Sequence, residues 1–154
     1  MKKMIKYVTA LVLAAMLILS FTSCAGANPK IMSEKVTEII DRFVDRDVDG
    51  IYAMFYPGAV DKDEYYAMCD ALFEYFPVTA GYTRKLEQVY VTNGVNKNGT
   101  FTNWEGQYKV EFDGLTYHIV VSWLTDSVTS GFTRFHISNE EDWNMDQNNS
   151  ASVD

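Results

Sequence analysis

The chain is poor in cysteine, proline and positive charge, and each shortage narrows what it can be. Two cysteines in 154 residues, Cys24 and Cys69, cannot build the disulfide framework that staples small secreted folds. Three prolines exclude a proline-rich or collagen-like chain. Lys and Arg number 13 against 21 Asp and Glu, a formal charge of −8. No basic surface is therefore available to offset phosphate repulsion, and nucleic acid is excluded as a partner. No apolar run reaches the ~20 residues of a permanent membrane helix. A P-loop, a G-x-G-x-x-G turn, an H-x-x-x-H or H-x-H pair and a strand–elbow–helix around any serine are all missing. What remains, 47% hydrophobic and 22% charged, is the composition of one globular domain.

The N-terminus reads as an address. Lys2, Lys3 and Lys6 precede an apolar run over Tyr7–Leu19, with no acid before Cys24, which is the layout of an export signal. The following Ser20–Cys24 segment (SFTSC) resembles the lipobox of bacterial lipoproteins, with Ser23 as the small residue before the cysteine and Phe21 where leucine is usual. That resemblance implies a signal peptide over 1–24, acylation of Cys24, a tether over 25–32 and a protein held on the extracytoplasmic face of the cell membrane. Ala25-Gly26-Ala27 offers a competing A-x-A site for ordinary signal peptidase, and an uncleaved signal anchor is a third reading. All three export the chain. With Cys24 acylated, Cys69 has no intrachain partner. It falls on a helical apolar stripe without cationic neighbours, the setting of a buried inert thiol.

After the tether the apolar period is first helical and then strand-like. Ser33 is the expected N-cap of a helix whose stripe is Val36, Ile39, Ile40, Phe43 and Val44. Asp47-Val48-Asp49-Gly50 interrupts it, and a short helix over Ile51–Tyr56 stops at Pro57-Gly58. Asp61 and Glu64 start a third helix carrying Tyr65, Met68, Cys69, Leu72, Phe73 and Phe76. Strands are expected at 83–95, 100–113, 115–126 and 131–138, joined by Asn96–Gly99, Asp113-Gly114 and Ser127–Gly131. Residues 139–154, acidic and rich in Asn, show no period and are expected to be disordered. Helices first and hairpins afterwards mean an α+β fold, with the helices packed on one face of an antiparallel sheet. Asp45–Gly50 (DRDVDG) begins like an EF-hand loop, but Tyr56 stands where the bidentate Glu belongs. No metal and no cofactor is expected.

This order, the segment DGIYAMFYP at Asp49–Pro57 and the closing hairpin LTYHIVVSWLTDSVTSGFTRFHIS make residues 33–138 resemble the nuclear transport factor 2-like superfamily. Its domain is a cone in which a curved sheet wraps over helices. Some members, similar to ketosteroid isomerase or polyketide cyclases, catalyse reactions inside the cone. The resemblance implies a carboxylate base facing a tyrosine or protonated acid within that space. Glu111 has the wrong strand parity, and Asp113 and Asp126 sit in a turn and at a strand end. Glu87 shares parity with Val89 and Val91, while Leu86 and Tyr90 make the assignment ambiguous. His118 and His136 fall on the more polar sheet face, as surface or interface histidines. Tyr65, Tyr90, Tyr108, Tyr117 and Trp123 are the candidate pocket aromatics.

Two readings follow. The first is a lipid-anchored, non-catalytic domain that binds an envelope protein or a small apolar ligand. The alternative is a small pocket enzyme (isomerase, cyclase or hydrolase-like), with Glu87 or His118 as base and Tyr108 or Tyr117 as hydrogen-bond donor. A homodimer joined sheet to sheet is left open.

Overall fold

The computed structural model describes residues 29–96 and 99–150. Residues 1–28, with the expected export signal and Cys24, the expected turn residues Lys97 and Asn98, and residues 151–154 lie outside the described residues. The order is α1 (Pro29–Asp45), α2 (Val48–Ala53), α3 (Lys62–Tyr75), β1 (Thr83–Asn96), β2 (Gly99–Phe112), β3 (Leu115–Asp126), β4 (Ser130–Asn139) and α4 (Glu140–Ser150). The α+β class and the helices-then-hairpins order are as expected from the sequence.

Helix α1 starts four residues before the expected cap. Residues 29–32, assigned to the tether, form its first turn: proline is favoured at a first helical position, and Met32 adds one more buried residue to the stripe Val36, Ile39, Ile40 and Phe43. Ser33 therefore lies inside the helix, where its Oγ accepts a hydrogen bond from Arg84 at 2.9 Å. The acids of Asp45–Gly50 serve the backbone. Asp47 caps α2 by accepting from the Gly50 N–H at 2.9 Å and pairs with Arg42. Asp61 caps α3 through the N–H groups of Asp63 and Glu64, both at 3.0 Å.

The four strands form an antiparallel meander in the order β1-β2-β3-β4. Asp113 and Gly114 both have positive φ, 49° and 79°, as a two-residue hairpin matching the strand twist requires. Register shifts between Leu86 and Gln88 and between Ser122 and Trp123 curve the sheet. Helices α1 to α3 pack on one face. The end of α2 is stitched to β4 by Tyr56 N–H to Phe132 O and Phe132 N–H to Met54 O, both 2.9 Å. Gly131 permits that approach, because a Cβ there would meet the backbone of Phe55 and Tyr56 at 2.5–2.7 Å.

The reverse face is not free along its length. Helix α4 lies across it, where the sequence predicted an aperiodic disordered tail. Asn139 Oδ1 accepts from the Asp142 N–H at 2.8 Å, a cap three residues ahead, and Glu140, Glu141 and Asp142 place negative charge on the first turn. Among the described residues no helix is long and apolar enough to cross a membrane.

Candidate functional site

The sheet divides the predicted site residues between its two faces. On the helix side, the space that a cone pocket would occupy is filled by rings. Phe43 meets Phe73, Phe76 and Phe135 at centroid distances of 5.5–5.7 Å, Phe76 meets Tyr117 at 5.1 Å, and Trp123 meets Phe132 at 4.8 Å. Tyr117 donates to the Tyr75 carbonyl at 2.8 Å, Tyr65 to the Val48 carbonyl at 3.0 Å, and Trp123 Nε1 to Thr125 Oγ1 at 3.1 Å. Tyr108 is fully buried, and its hydroxyl has no hydrogen-bond partner among the described residues. Burial pushes the phenols of Tyr65, Tyr108 and Tyr117 above the usual tyrosine range. These tyrosines are neutral donors locked into the core. Cys69 is a buried free thiol whose Sγ–H donates to the Tyr65 carbonyl at 3.2 Å.

Glu87 and His118 lie on the other side. Leu86 pairs with the core residue Tyr108, yet Gln88 pairs with Gln107 on the reverse face, so the irregularity at Glu87 switches the parity of β1. This explains why Leu86 and Val89 both read as inward. The Glu87 carboxylate is 3.6 Å from His118 Nδ1, and Gln107 Nε2 donates to it at 3.4 Å. His118 Nε2 is 3.0 Å from Glu140 Oε2 on α4. The imidazole stacks on Trp143 at 4.6 Å and is only 6% exposed, so it is no surface histidine. His136 Nε2 is 2.9 Å from Ser138 Oγ.

Base and donor candidates are thus separated by the thickness of the sheet. Glu87 and His118 cannot face Tyr108 or Tyr117 across one pocket. Nor do the five candidate pocket aromatics line a common space, since Tyr90 stands on the reverse face and is 62% exposed. Among the described residues no three His, Cys, Asp or Glu side chains are grouped to hold a metal.

Two clefts remain. An apolar one of about 400 Å³ opens between α2, α3 and β4, lined by Phe43, Ile51, Tyr65, Met68, Leu72 and Phe135, with Arg134 and His136 at its β4 side. No carboxylate belongs to its lining, and Met68, 57% exposed, stands in it. The sequence placed Met68 and Leu72 on the core stripe of α3, and nothing in their spacing distinguishes a covered position from one beside an opening. A polar cleft of about 260 Å³ lies on the reverse face beside Trp143, lined by Gln88, Tyr90, Glu105, Gln107, Arg134 and His136 among others.

No known family model matches the chain, and neither does any curated protein. Among solved structures, the chain is similar to a protein from Silicibacter sp. TM1040 described as a "putative polyketide cyclase". The two are 16% identical over 73% of this chain and 91% of that one, with a TM-score of 0.31. A likeness that weak carries no argument about activity.

Proposed function

We propose that the protein is an exported, lipid-anchored domain that binds an apolar ligand outside the cytoplasmic membrane without catalysing a reaction. The observation that carries this reading is the apolar cleft. The space between helices and sheet is closed by aromatic rings, and the opening left beside α3 is lined by apolar side chains with no carboxylate among them. Concave, mostly apolar openings with a few polar groups at the rim are where small ligands bury their surface. Arg134 and His136 supply that rim. A base and an oxyanion donor converging on one point, which the pocket enzyme needs, have no counterpart in it. The anchoring half of the proposal rests on Lys2, Lys3, Lys6, the apolar run after them and the Ser23-Cys24 junction. The cone of the nuclear transport factor 2-like superfamily is the architecture we infer for residues 33–138.

The test is a fluorescence titration of residues 25–154 with N-phenyl-1-naphthylamine, whose emission rises in apolar surroundings. Saturable binding is expected, weakened at least tenfold by Met68→Glu, which sets a charge in the cleft. Absence of saturation, or binding unchanged by that substitution, overturns the apolar site.

A further inference from the structure

We infer that the polar cleft on the reverse sheet face is a second binding site, bordering the apolar cleft along Arg134 and His136, and that it takes a pyranose sugar. The strand register builds it in rows. Tyr90, Glu105, Ser122 and Arg134 are successive cross-strand partners, and so are Gln88, Gln107, Val120 and His136 in the adjoining row. Helix α4 packs on the next row through the stack of Trp143 on His118, and Trp143 also lines the cleft.

The chemistry of the lining is specific in three respects. First, Glu105 and Arg134 make no ion pair or hydrogen bond among the described residues, although they share a row. Two strands apart, their backbones are separated by about 10 Å, a span that leaves one acceptor and one donor facing a shared space. Their charges cancel, so the site favours a neutral ligand over an anion or a cation. Secondly, Gln88 and Gln107 lie side by side; Gln88 Oε1 accepts from the Tyr90 hydroxyl at 3.3 Å and Gln107 Nε2 donates to Glu87 at 3.4 Å, and each amide keeps a further donor and acceptor site. Hydroxyl groups, which donate and accept, match that set. Thirdly, Tyr90 and Trp143 contribute aromatic surface to a cleft that is otherwise polar. The weakly positive C–H bonds on the flat side of a sugar ring meet the negative face of an aromatic ring, an attraction that purely polar ligands do not gain. The size agrees as well, since about 260 Å³ lies just below the range of drug-sized pockets and suits one or two sugar rings.

Saturation-transfer NMR on the full chain tests this, with the protein held in lauryldimethylamine oxide, a detergent without a sugar headgroup. Glucose, galactose, N-acetylglucosamine and free alanine are presented together at millimolar concentration. Ring C–H protons of at least one sugar are expected to saturate, alanine is not. Glu105→Ala, Gln107→Ala and Tyr90→Ala should each reduce the signal at least fivefold, and Tyr90→Phe, which keeps the ring, should retain it. All three positions are on one open sheet face, and circular dichroism confirms that each variant keeps the fold. No sugar saturation by the folded wild-type chain, saturation unaffected by the three alanine variants, or saturation of alanine alone overturns the assignment.

Discussion

His118 and Trp143 stack with ring centroids 4.6 Å apart and planes 9° from parallel, which joins the third strand to the C-terminal helix. This contact, together with Glu140 at 3.0 Å from His118 Nε2 and the Tyr75 hydroxyl donating to Asp142 at 2.6 Å, is what seats α4 on the sheet. A helix so polar would not hold its shape alone in water, because short helices draw most of their stability from packing.

Truncation of the stack should therefore release the helix. Trp143→Ala is expected to cost about 1–2 kcal/mol, since the ring is only half-buried, and to leave residues 140–150 exchanging their amide hydrogens freely. Asn139→Ala should cost about 1 kcal/mol through the lost cap. Hydrogen exchange followed by mass spectrometry reads both; protection of 140–150 unchanged in Trp143→Ala contradicts the docking role.

Tyr108 carries a buried hydroxyl without a partner among the described residues. Leaving such a group unpaired costs roughly 1–3 kcal/mol. Tyr108→Phe removes the cost and keeps the ring that fills the space over Gly106, where a Cβ would meet it at 2.9 Å. A gain of about 1 kcal/mol in urea unfolding is expected. An equal loss would show that the hydroxyl is hydrogen-bonded in solution.

Stability should fall steeply at alkaline pH. Burial first, helped in Tyr65 by its contact with Cys69 and in Tyr82 by the Asp41 carboxylate, holds the phenols of Tyr65, Tyr82, Tyr108 and Tyr117 above the ordinary value of 10.0. A raised acid stays protonated when folded, while the unfolded chain ionises at about 10. The unfolded state then binds fewer protons than the native one, so stability present below pH 10 is lost as pH rises above it. Phenolate absorbance near 295 nm should appear together with unfolding. Smooth ionisation of all tyrosines at pH 10 in a chain still folded refutes the assignment.

The proposed anchor turns on Cys24. Cells given a labelled fatty acid should incorporate it into the wild-type chain and not into Cys24→Ala, and the intact mature protein should begin at an acylated residue 24. A mature N-terminus at Asn28 instead identifies the A-x-A site of Ala25–Ala27 as the one used.

Much of this molecule follows from local pattern. The stripe Val36 to Phe43, the caps Asp47 and Asp61, the turn at Asp113-Gly114 and the alternation of β2 and β3 each depend on neighbours a few residues away, where spacing and side-chain type act directly on the backbone. The start of α4 was legible too, as Asn139 followed by Glu140, Glu141 and Asp142, but a tail without apolar period hid it. Glu87 shows where such reasoning ends. Strand parity assigns faces only while the register is unbroken, and the irregularity beside Leu86 arises from pairing with β2, about twenty residues on. Alternation likewise assigned His118 to the polar face without telling what would lie on that face.

The sequence by itself determined the element order, the buried stripes and the acidic, disulfide-poor character, because these are set by composition and short-range periodicity. Only the tertiary structure decided that Glu87 and His118 stand back to back with Tyr108 and Tyr117, that rings close the space under the helices, and that an apolar and a polar cleft open beside β4. Those outcomes depend on long-range register and on which surfaces cover one another, and no local spacing encodes them.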